Sequence, residues 1–241
     1  MAHRYLVVIP AYNEQETIEQ VVRLSQKYAD VCVVNDASTD DTPRILANIA
    51  GVHCIHHQKN THIAGAIVDG MRYAFEAGYD FCITMDAGMS HDPNVLEAFK
   101  GKTDADLVIG YREKRVKVPL YRRALSFGAR LVFNHALRRK SGYAKRPLLK
   151  DVTSGYRMYS RRAFTLLLNS QLKSRSFDFH LEALALVYRS GMSIVEVPIT
   201  YVFANSSLRW KVVGEAMQTW WRIYLGDHSL APATPQDGTT V

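Results

Sequence analysis

Two apolar segments in the first forty residues, each ending abruptly in polar turn residues, constrain the fold of this chain most strongly. Residues 6–9 lead into Pro10-Ala11-Tyr12-Asn13-Glu14, and residues 31–34 lead into Asn35-Asp36-Ala37-Ser38. In an open α/β sheet, ligands bind in the crevice beyond the strand ends, so the pattern predicts polar groups at a nucleotide-sized site. Neither segment carries a glycine-rich dinucleotide fingerprint or a Walker lysine, which argues against a dehydrogenase or a P-loop ATPase.

Strand and helix patterns alternate along the first 110 residues. We predict strands near 4–9, 31–35, 52–56, 80–85 and 106–110, and helices near 14–28, 41–49, 63–77 and 93–100. This alternation predicts an α/β fold with a mainly parallel twisted sheet and helices on both faces. After residue 110 we predict a long basic helix, short strands near 152–158 and 192–197, and helices from 160, over 177–190 and over 208–226.

Length and composition indicate one domain over residues 1–229, followed by a flexible tail over 230–241. Residues 1–110 look like a nucleotide cradle and 111–229 like an acceptor platform. The formal net charge of +7 favours acidic partners, and its excess is concentrated in residues 112–150. The three cysteines lie in apolar runs and read as buried, reduced thiols. With neither a signal-peptide pattern nor an apolar stretch long enough to span a bilayer, we expect a cytoplasmic protein whose membrane contact is peripheral.

Two later motifs complete the pattern: Asp86-Ala87-Gly88 after an apolar strand, and Asp151-Val152-Thr153-Ser154-Gly155-Tyr156-Arg157. With the two strand endings, they occur in the order typical of family-two glycosyltransferases, which fold as a single nucleotide-binding domain of the glycosyltransferase A type. The chain resembles in particular the polyprenyl-phosphate sugar synthases of the dolichol-phosphate mannose synthase type, over residues 4–226. The resemblance implies an inverting transfer of a sugar from a nucleoside-diphosphate sugar.

On the donor side, Tyr12 offers a ring to a flat base and Glu14 offers an acceptor to nucleotide hydroxyls. The resemblance implies that the loop containing Pro10 and Ala11, together with Asp36, holds the base and ribose. The alternative is that Asp36 and Ser38 only shape a turn and that Asp40 caps a helix. A group of four histidines between residues 53 and 62 invites a metal-site interpretation, but their spacing lacks ligand geometry and we predict none there.

At the centre of the site, Asp86 and the adjoining Ala87 lie where the family uses Asp-X-Asp to hold a divalent cation. Mg²⁺ or Mn²⁺ suits carboxylate and phosphate oxygens and neutralises a leaving nucleotide. Gly88 replaces the second aspartate, which leaves three alternatives: Asp86 with water and phosphates, recruitment of Asp92 or His91, or neutralisation by arginines. Asp92 before Pro93 also fits a helix N-cap.

On the acceptor side, Asp151 is the candidate general base for a hydroxyl acceptor, with a salt bridge to an arginine as its alternative. Ser154 and Arg157 are candidate phosphate-binding residues, and the planar fork of an arginine suits phosphate. Arg157 is also a candidate catalytic residue, together with Asp86 and Asp151. Arg122, Arg123 and Ser126 align with family residues that meet phosphate. Ser207 and Arg209 fall where relatives carry a phosphate loop. The cluster of Asp178, His180 and Glu182 ranks lower, because helix capping explains part of it.

Residues 118–133 mix apolar side chains with arginines at helical spacing. Such a helix suits a membrane interface, or else packs on the core with a solvated basic face. The C-terminal aromatic residues have the same two interpretations.

We therefore predict sugar transfer to a polyprenyl phosphate or to a membrane-associated glycan. The alternatives are a transferase for hydroxyl acceptors that uses Asp151 as base, and an inactive nucleotide-sugar-binding protein. Nucleic-acid binding is disfavoured, because aromatic residues at base-stacking spacing are absent from the sequence.

Overall fold

The computed structural model describes residues 3–139, 148–203 and 210–225. Within them the strands are β1 (Tyr5–Ala11), β2 (Asp30–Asn35), β3 (Val52–His56), β4 (Phe81–Thr84), β5 (Leu107–Val116), β6 (Arg157–Ser160) and β7 (Ile194–Val202). The helices are α1 (Ile18–Ser25), α2 (Thr42–Ala47), α3 (His62–Glu76), α4 (Leu96–Lys100), α5 (Leu120–Arg138), α6 (Arg161–Leu168), α7 (Phe179–Arg189) and α8 (Trp210–Leu225). Ser207, Arg209 and the predicted tail over 230–241 lie outside the described residues.

The strands form one mixed sheet in the order β3-β2-β1-β4-β6-β5-β7. Strand β6 runs antiparallel to both of its neighbours, and the other pairings are parallel. The predicted α/β fold with a mainly parallel sheet is therefore confirmed. The carboxyl ends of β1, β2, β3 and β4 meet at one edge of the sheet.

Helices cover both faces of the sheet, and each face has its own core cluster. Along β1, Leu6 and Val8 belong to one cluster, which includes α3, α6 and α7. Val7 and Ile9 belong to the other, which includes α1, α2 and α4. Each fully buried aliphatic side chain contributes roughly 1.5–3 kcal/mol. Because both faces are buried, consecutive strand residues are apolar instead of alternating between apolar and polar.

The packing of α3 against β1 is unusually close. A Cβ at Gly70 would lie 2.3 Å from Val8 Cγ1, so only glycine fits at this helix position. The close approach places the N-terminus of α3 beside the ends of β2 and β3.

Several predicted boundaries were wrong for local reasons. Helix α1 begins at Ile18 rather than near residue 14, because the carbonyl of Glu14 accepts from the amides of Thr17 and Ile18 in a turn. Strand β6 begins only at Arg157, because residues 151–155 form a loop. Strands β5 and β7 extend further than predicted, to residues 116 and 202.

Candidate functional site

Asp36 lies at the end of β2 and is the centre of the predicted donor side. Its side chain is nearly buried, and Oδ1 accepts hydrogen bonds from the Thr61 amide at 2.7 Å and the Thr61 hydroxyl at 2.8 Å. His57 Nδ1 also lies 2.8 Å from Oδ1. No hydrogen bond to Oδ2 is formed by any described residue. The carboxylate is thus held through Oδ1.

The loops after β1 and β2 are tied together by Asn13. Its amide donates to Ser38 Oγ at 3.0 Å, and its Oδ1 accepts from the Thr39 amide at 2.8 Å. Asn13 and Ala37 both adopt left-handed backbone conformations, with φ of 57° and 61°. Such strained residues concentrate at functional sites, where the surrounding contacts hold them. We call residues 10–14, 35–40 and 57–62 together the donor edge.

The remaining residues predicted on the donor side lie along this edge. Pro10 and Ala11 are part of β1, and the Tyr12 ring is half exposed. Burial raises the pKa of Glu14, and the negative charges of Asp86 and Asp40 raise it further, so Glu14 lies within electrostatic range of the predicted metal ligand. Asp40 accepts from the amides of Gln15 and of Thr42, the first residue of α2, so it holds the start of the helix much as the capping alternative predicted, although the N-cap position itself is Asp41.

Asp86 follows β4 and lies next to the donor edge. Its side chain is 36% exposed, and its Oδ2 is 3.6 Å from His91 Nδ1. His91 is buried and stacks on Tyr156 with ring centroids 4.9 Å apart. Burial lowers the pKa of His91 despite the attraction of Asp86, so the imidazole is neutral. The adjoining Ala87 is buried.

Asp92, considered as a second metal ligand beside Asp86, is engaged elsewhere. It is exposed and accepts from the Asn94 amide at 3.0 Å, which makes it the N-cap of a short 3₁₀ turn at Pro93–Val95. The capping alternative is therefore the one observed. Within the described part of the chain, no group of three or more histidine, cysteine, aspartate or glutamate side chains has metal-binding geometry.

The loop over 151–155 reaches the end of β4, where the Thr84 hydroxyl donates to the Gly155 carbonyl at 2.7 Å. A Cβ at Gly155 would lie 2.9 Å from His180 Nε2 and 3.4 Å from Asp86 Oδ1. A side chain at residue 155 would therefore displace the loop or the His180 imidazole. His180 is buried, and neither of its ring nitrogens has a hydrogen-bond partner among the described residues. Burial and the nearby positive charge of Arg157 hold the pKa of His180 well below its ordinary value.

Asp151, the predicted base, forms a bidentate ion pair with Arg112. Nε and Nη2 of Arg112 lie 2.6 and 2.7 Å from the two carboxylate oxygens. Burial alone would raise the pKa of Asp151, but Arg112 and the Thr153 amide lower it to about 2. A carboxylate with so low a pKa is a poor general base near neutral pH. The salt-bridge alternative is what the structure shows.

Arg157 was expected to bind phosphate, and its position does not fit that role. The side chain is fully buried, and its guanidinium donates to the backbone carbonyls of Val152, Ser154 and His180. Both faces of the sheet are covered, so the first three residues of β6 are all buried, and Arg157 lies in the interior beneath the loop. It stabilises the loop over 151–155 from behind. Ser154 is also buried, and its backbone amide donates a hydrogen bond to Asp151 Oδ1.

A small basic cavity lies beside Asp151, with a volume of about 40 Å³. We call it the arginine pocket, and its lining residues are Arg112, Arg115, Val118, Arg122, Ser126, Tyr201 and Phe203. Two guanidinium groups lie over aromatic rings: Arg112 is 5.5 Å from the Tyr201 centroid, and Arg122 is 4.8 Å from the Phe203 centroid.

The arginine pocket is a region of positive potential. Burial lowers the pKa of Arg115, and repulsion from Arg112, Arg123 and Arg130 lowers it further against the attraction of Asp151. Burial would lower the pKa of Arg112, but Asp151 raises it, with a smaller contribution from Asp86. The ring of Tyr201, which lines the pocket, lies 5.8 Å from the ring of His91 next to Asp86.

The prediction from sequence found Arg122 and Ser126 of this pocket but missed Arg112 and Arg115. The signal that could have found them is the run of basic residues that ends β5. Arg123, predicted with Arg122, is exposed and does not line the cavity.

Next to the arginine pocket, α5 exposes large apolar side chains. The most exposed are Leu120, Tyr121, Leu125, Phe127 and Leu131. Helix α8 packs on α5, with Trp220 Nε1 donating to the Val132 carbonyl at 3.3 Å, while Trp221 is half exposed. None of the described helices is long and apolar enough to cross a membrane.

Comparison with known proteins places this chain in a family. The model of glycosyl transferase family 2 matches residues 6–167. The chain is 33% identical over 229 residues to an undecaprenyl-phosphate mannosyltransferase of Micrococcus luteus, covering 89% of this chain and 91% of the relative. It is 30% identical over 208 residues to a polyprenol monophosphomannose synthase of Mycolicibacterium smegmatis, covering 82% and 77%.

Among solved structures, glucosyl-3-phosphoglycerate synthase from Mycobacterium tuberculosis, in complex with Mn²⁺, uridine diphosphate and phosphoglyceric acid, superposes with a TM-score of 0.67. The identity is 18%, with 97% of this chain and 80% of that chain covered, so this likeness shows a shared fold. Because the family model covers more than half of the sequence, the chain belongs to glycosyl transferase family 2.

Proposed function

We propose that this protein transfers a sugar from a nucleoside-diphosphate sugar to a polyprenyl phosphate with inversion at the anomeric carbon. The observation that carries the proposal is the arginine pocket: the ring of its lining residue Tyr201 lies 5.8 Å from the ring of His91, whose Nδ1 is 3.6 Å from Asp86 Oδ2 beside the donor edge. A site for a donor diphosphate thus adjoins a site for a second phosphate. The relatives named for undecaprenyl-phosphate and polyprenol substrates support the same assignment.

A phosphate acceptor also fits the absence of a suitable base at Asp151. In the proposed single displacement, an acceptor phosphate oxygen forms a bond to the anomeric carbon while the bond from that carbon to the donor diphosphate breaks. The nucleoside diphosphate leaves with the bonding electron pair. An ionised phosphate is already a nucleophile, so no proton has to be removed and Asp151 is free to hold Arg112.

A divalent cation, Mg²⁺ or Mn²⁺, fits the residues around Asp86. The carboxylate is partly exposed, and the neighbouring His91 Nδ1 is buried without a hydrogen-bond partner among the described residues. Mg²⁺ commonly keeps several waters, so a single carboxylate with donor phosphates suffices. Asp86 would hold the ion, and His91 would orient Asp86. The ion would neutralise charge on the leaving diphosphate.

The exposed apolar side chains of α5 suit an enzyme whose acceptor is a lipid. They lie next to the arginine pocket, so insertion of Leu120, Tyr121 and Phe127 into the interface would bring the pocket to the level of the lipid phosphates. On this proposal the protein is a peripheral enzyme on the cytoplasmic face of the membrane.

The test is turnover of the purified full chain with GDP-mannose, UDP-glucose and UDP-N-acetylglucosamine, each with or without undecaprenyl phosphate in detergent and with Mg²⁺, Mn²⁺ or EDTA. We expect one donor to release its nucleoside diphosphate at a rate that rises with undecaprenyl phosphate, together with a glycolipid product. Nucleotide binding without turnover would indicate an inactive binding protein. Faster transfer to a soluble sugar hydroxyl would contradict the phosphate acceptor.

A further inference from the structure

His57 lies directly after β3 between two carboxylates. Its side chain is 10% exposed, with Nδ1 2.8 Å from Asp36 Oδ1 and Nε2 3.2 Å from Asp69 Oδ2 of α3. Asp69 also pairs with Arg72 one turn along the same helix. The imidazole thus lies between the end of β2, which it contacts through Nδ1, and α3, whose Asp69 carboxylate is close to Nε2 but not hydrogen-bonded to it. Helix α3 is itself packed closely on β1 through Gly70.

The residues that follow His57 wrap around Asp36. The Asn60 side chain donates to the Asp36 carbonyl at 3.3 Å, and Thr61 donates to Asp36 Oδ1 through both its amide and its hydroxyl. His62 then adopts a left-handed conformation with φ of 63° at the start of α3. All of these contacts fall on the backbone or on Oδ1 of Asp36. They leave Oδ2 without a partner among the described residues.

We propose that His57 is a positioning residue for the donor nucleoside, because it fixes the Asp36 carboxylate so that Oδ2 can accept a hydrogen bond from a hydroxyl or N–H group of the nucleoside. The inference rests on the proposed function, in which Asp36 belongs to the donor site. His57 itself does not touch the donor. It acts by removing the rotational freedom of Asp36 before the donor arrives.

The physical basis is preorganisation. A carboxylate on a short side chain rotates about χ2 unless both its position and its direction are held. The amide and hydroxyl of Thr61 hold the position of Oδ1, and the His57 ring adds a third contact through Nδ1. Its Nε2 lies 3.2 Å from Asp69 Oδ2 without a hydrogen bond between them, so Asp69 acts on the ring through charge. A ligand that meets a fixed acceptor avoids the entropy cost of ordering it. Partners of this kind are typically worth 10- to 100-fold in affinity or activity at metal sites, and we expect the lower end here.

The experiment compares His57→Gln with the unmodified chain and with His53→Gln as a matched control. His53 lies on β3, four residues before His57 and outside the donor edge. It is exposed, and its ring stacks on Tyr73 with the ring centroids 3.7 Å apart. The affinity for UDP and GDP is measured by calorimetry with Mn²⁺ present, and steady-state rates are measured with the donor varied. We expect His57→Gln to raise Kd and the donor KM roughly tenfold with kcat within about twofold, and His53→Gln to change neither.

Asp69→Asn gives a second, independent reading. If Asp69 acts through His57, combining it with His57→Gln adds little to the loss of affinity caused by His57→Gln alone. Fully additive losses would contradict the proposed connection. Unchanged Kd in His57→Gln, with only a lower melting temperature, would show that the contact is structural and would overturn the inference.

Asp36→Asn separates this inference from the proposed function. If Asp36→Asn weakens nucleotide binding but His57→Gln does not, the donor site stands and the role of His57 is wrong. If neither substitution changes nucleotide binding, the donor site itself has been misplaced.

Discussion

The donor edge and the arginine pocket both lie near Asp86 and are built in different ways. At the donor edge, polar side chains are bonded to one another: Asn13 to Ser38 and Thr39, and Asp36 to His57 and Thr61. In the arginine pocket, like charges are crowded together, and Arg112 is balanced by Asp151. A closed hydrogen-bond network preorganises shape for recognition of a nucleoside. Crowded positive charge has a free-energy cost that an incoming phosphate relieves.

Asp86 is where the two regions meet, so its substitution tests them together. Asp86→Asn removes one charge without changing side-chain volume, and we expect turnover to fall roughly a thousandfold or more, because stabilisation of the leaving diphosphate is lost. Circular dichroism and melting temperature should match the unmodified chain, since the side chain is partly exposed. Near-normal turnover would remove Asp86 from the mechanism and leave diphosphate neutralisation to the arginines.

Gly155→Ala tests whether the loop over 151–155 must lie against Asp86. The new Cβ would come within 2.9 Å of His180 Nε2, so the loop or the imidazole has to shift. We expect about a hundredfold loss of kcat/KM, because small displacements in a catalytic site are costly. Gly128→Ala is the matched control, since a Cβ at Gly128 meets no atom within 4 Å. Equal activity of the two variants would show that the loop has room to move.

The ion pair between Asp151 and Arg112 should make the free energy of unfolding depend on pH in the acid range. The pKa of Asp151 is lowered from 3.8 to about 2, so its contribution to stability is fully present above pH 4 and is lost as the pH falls from about 4 to about 2. The shift corresponds to about 2 kcal/mol of unfolding free energy. Urea unfolding at a series of pH values measures it. Asp151→Asn should flatten the profile in this window, and an unchanged profile would contradict the low pKa.

Substitutions of Arg122 and Arg123 have the smallest expected effects, and comparing them distinguishes a phosphate site from a general positive charge. Adjacent on α5, they differ in that Arg122 lines the arginine pocket and Arg123 does not. We expect Arg122→Gln to raise the KM for polyprenyl phosphate about tenfold, as for a lost charge-assisted hydrogen bond, with the donor KM unchanged. Arg123→Gln should change it less than about threefold, through the general field alone. Equal effects would mean that the pocket acts as a diffuse charge rather than as a phosphate site.

The sequence predicted the order of elements and most of the donor edge, because both follow from local patterns. Apolar runs ending in polar residues locate strand ends, and the spacing of four between Arg122 and Ser126 places them on one helix face. Orientation was harder to predict. Arg157 has the right charge and the right motif, but it lies on a strand covered on both faces, and its guanidinium donates to backbone carbonyls in the interior. Arg112 and Arg115 enter the pocket from β5, whose register shifts between Arg112 and Lys114.

His57 shows a second limit of prediction from sequence. The group of four histidines was considered as a metal site and set aside for want of neighbouring carboxylates. In the structure His57 does meet two carboxylates, Asp36 and Asp69, which are 21 residues before it and 12 after it in the chain. Their meeting depends on the packing of α3 across β1, which spacing alone does not reveal.

The insertion of β6 between β4 and β5 has a consequence for how this chain assembles on the ribosome. Strand β4 leaves the ribosome early, yet its outer edge is paired only by residues 157–160, which are synthesised more than seventy residues later. During that interval the first half of the chain exposes an unpaired strand edge, the kind of surface that promotes aggregation. We therefore expect a fragment ending near residue 110 to be insoluble, and the two halves of the site to become competent together.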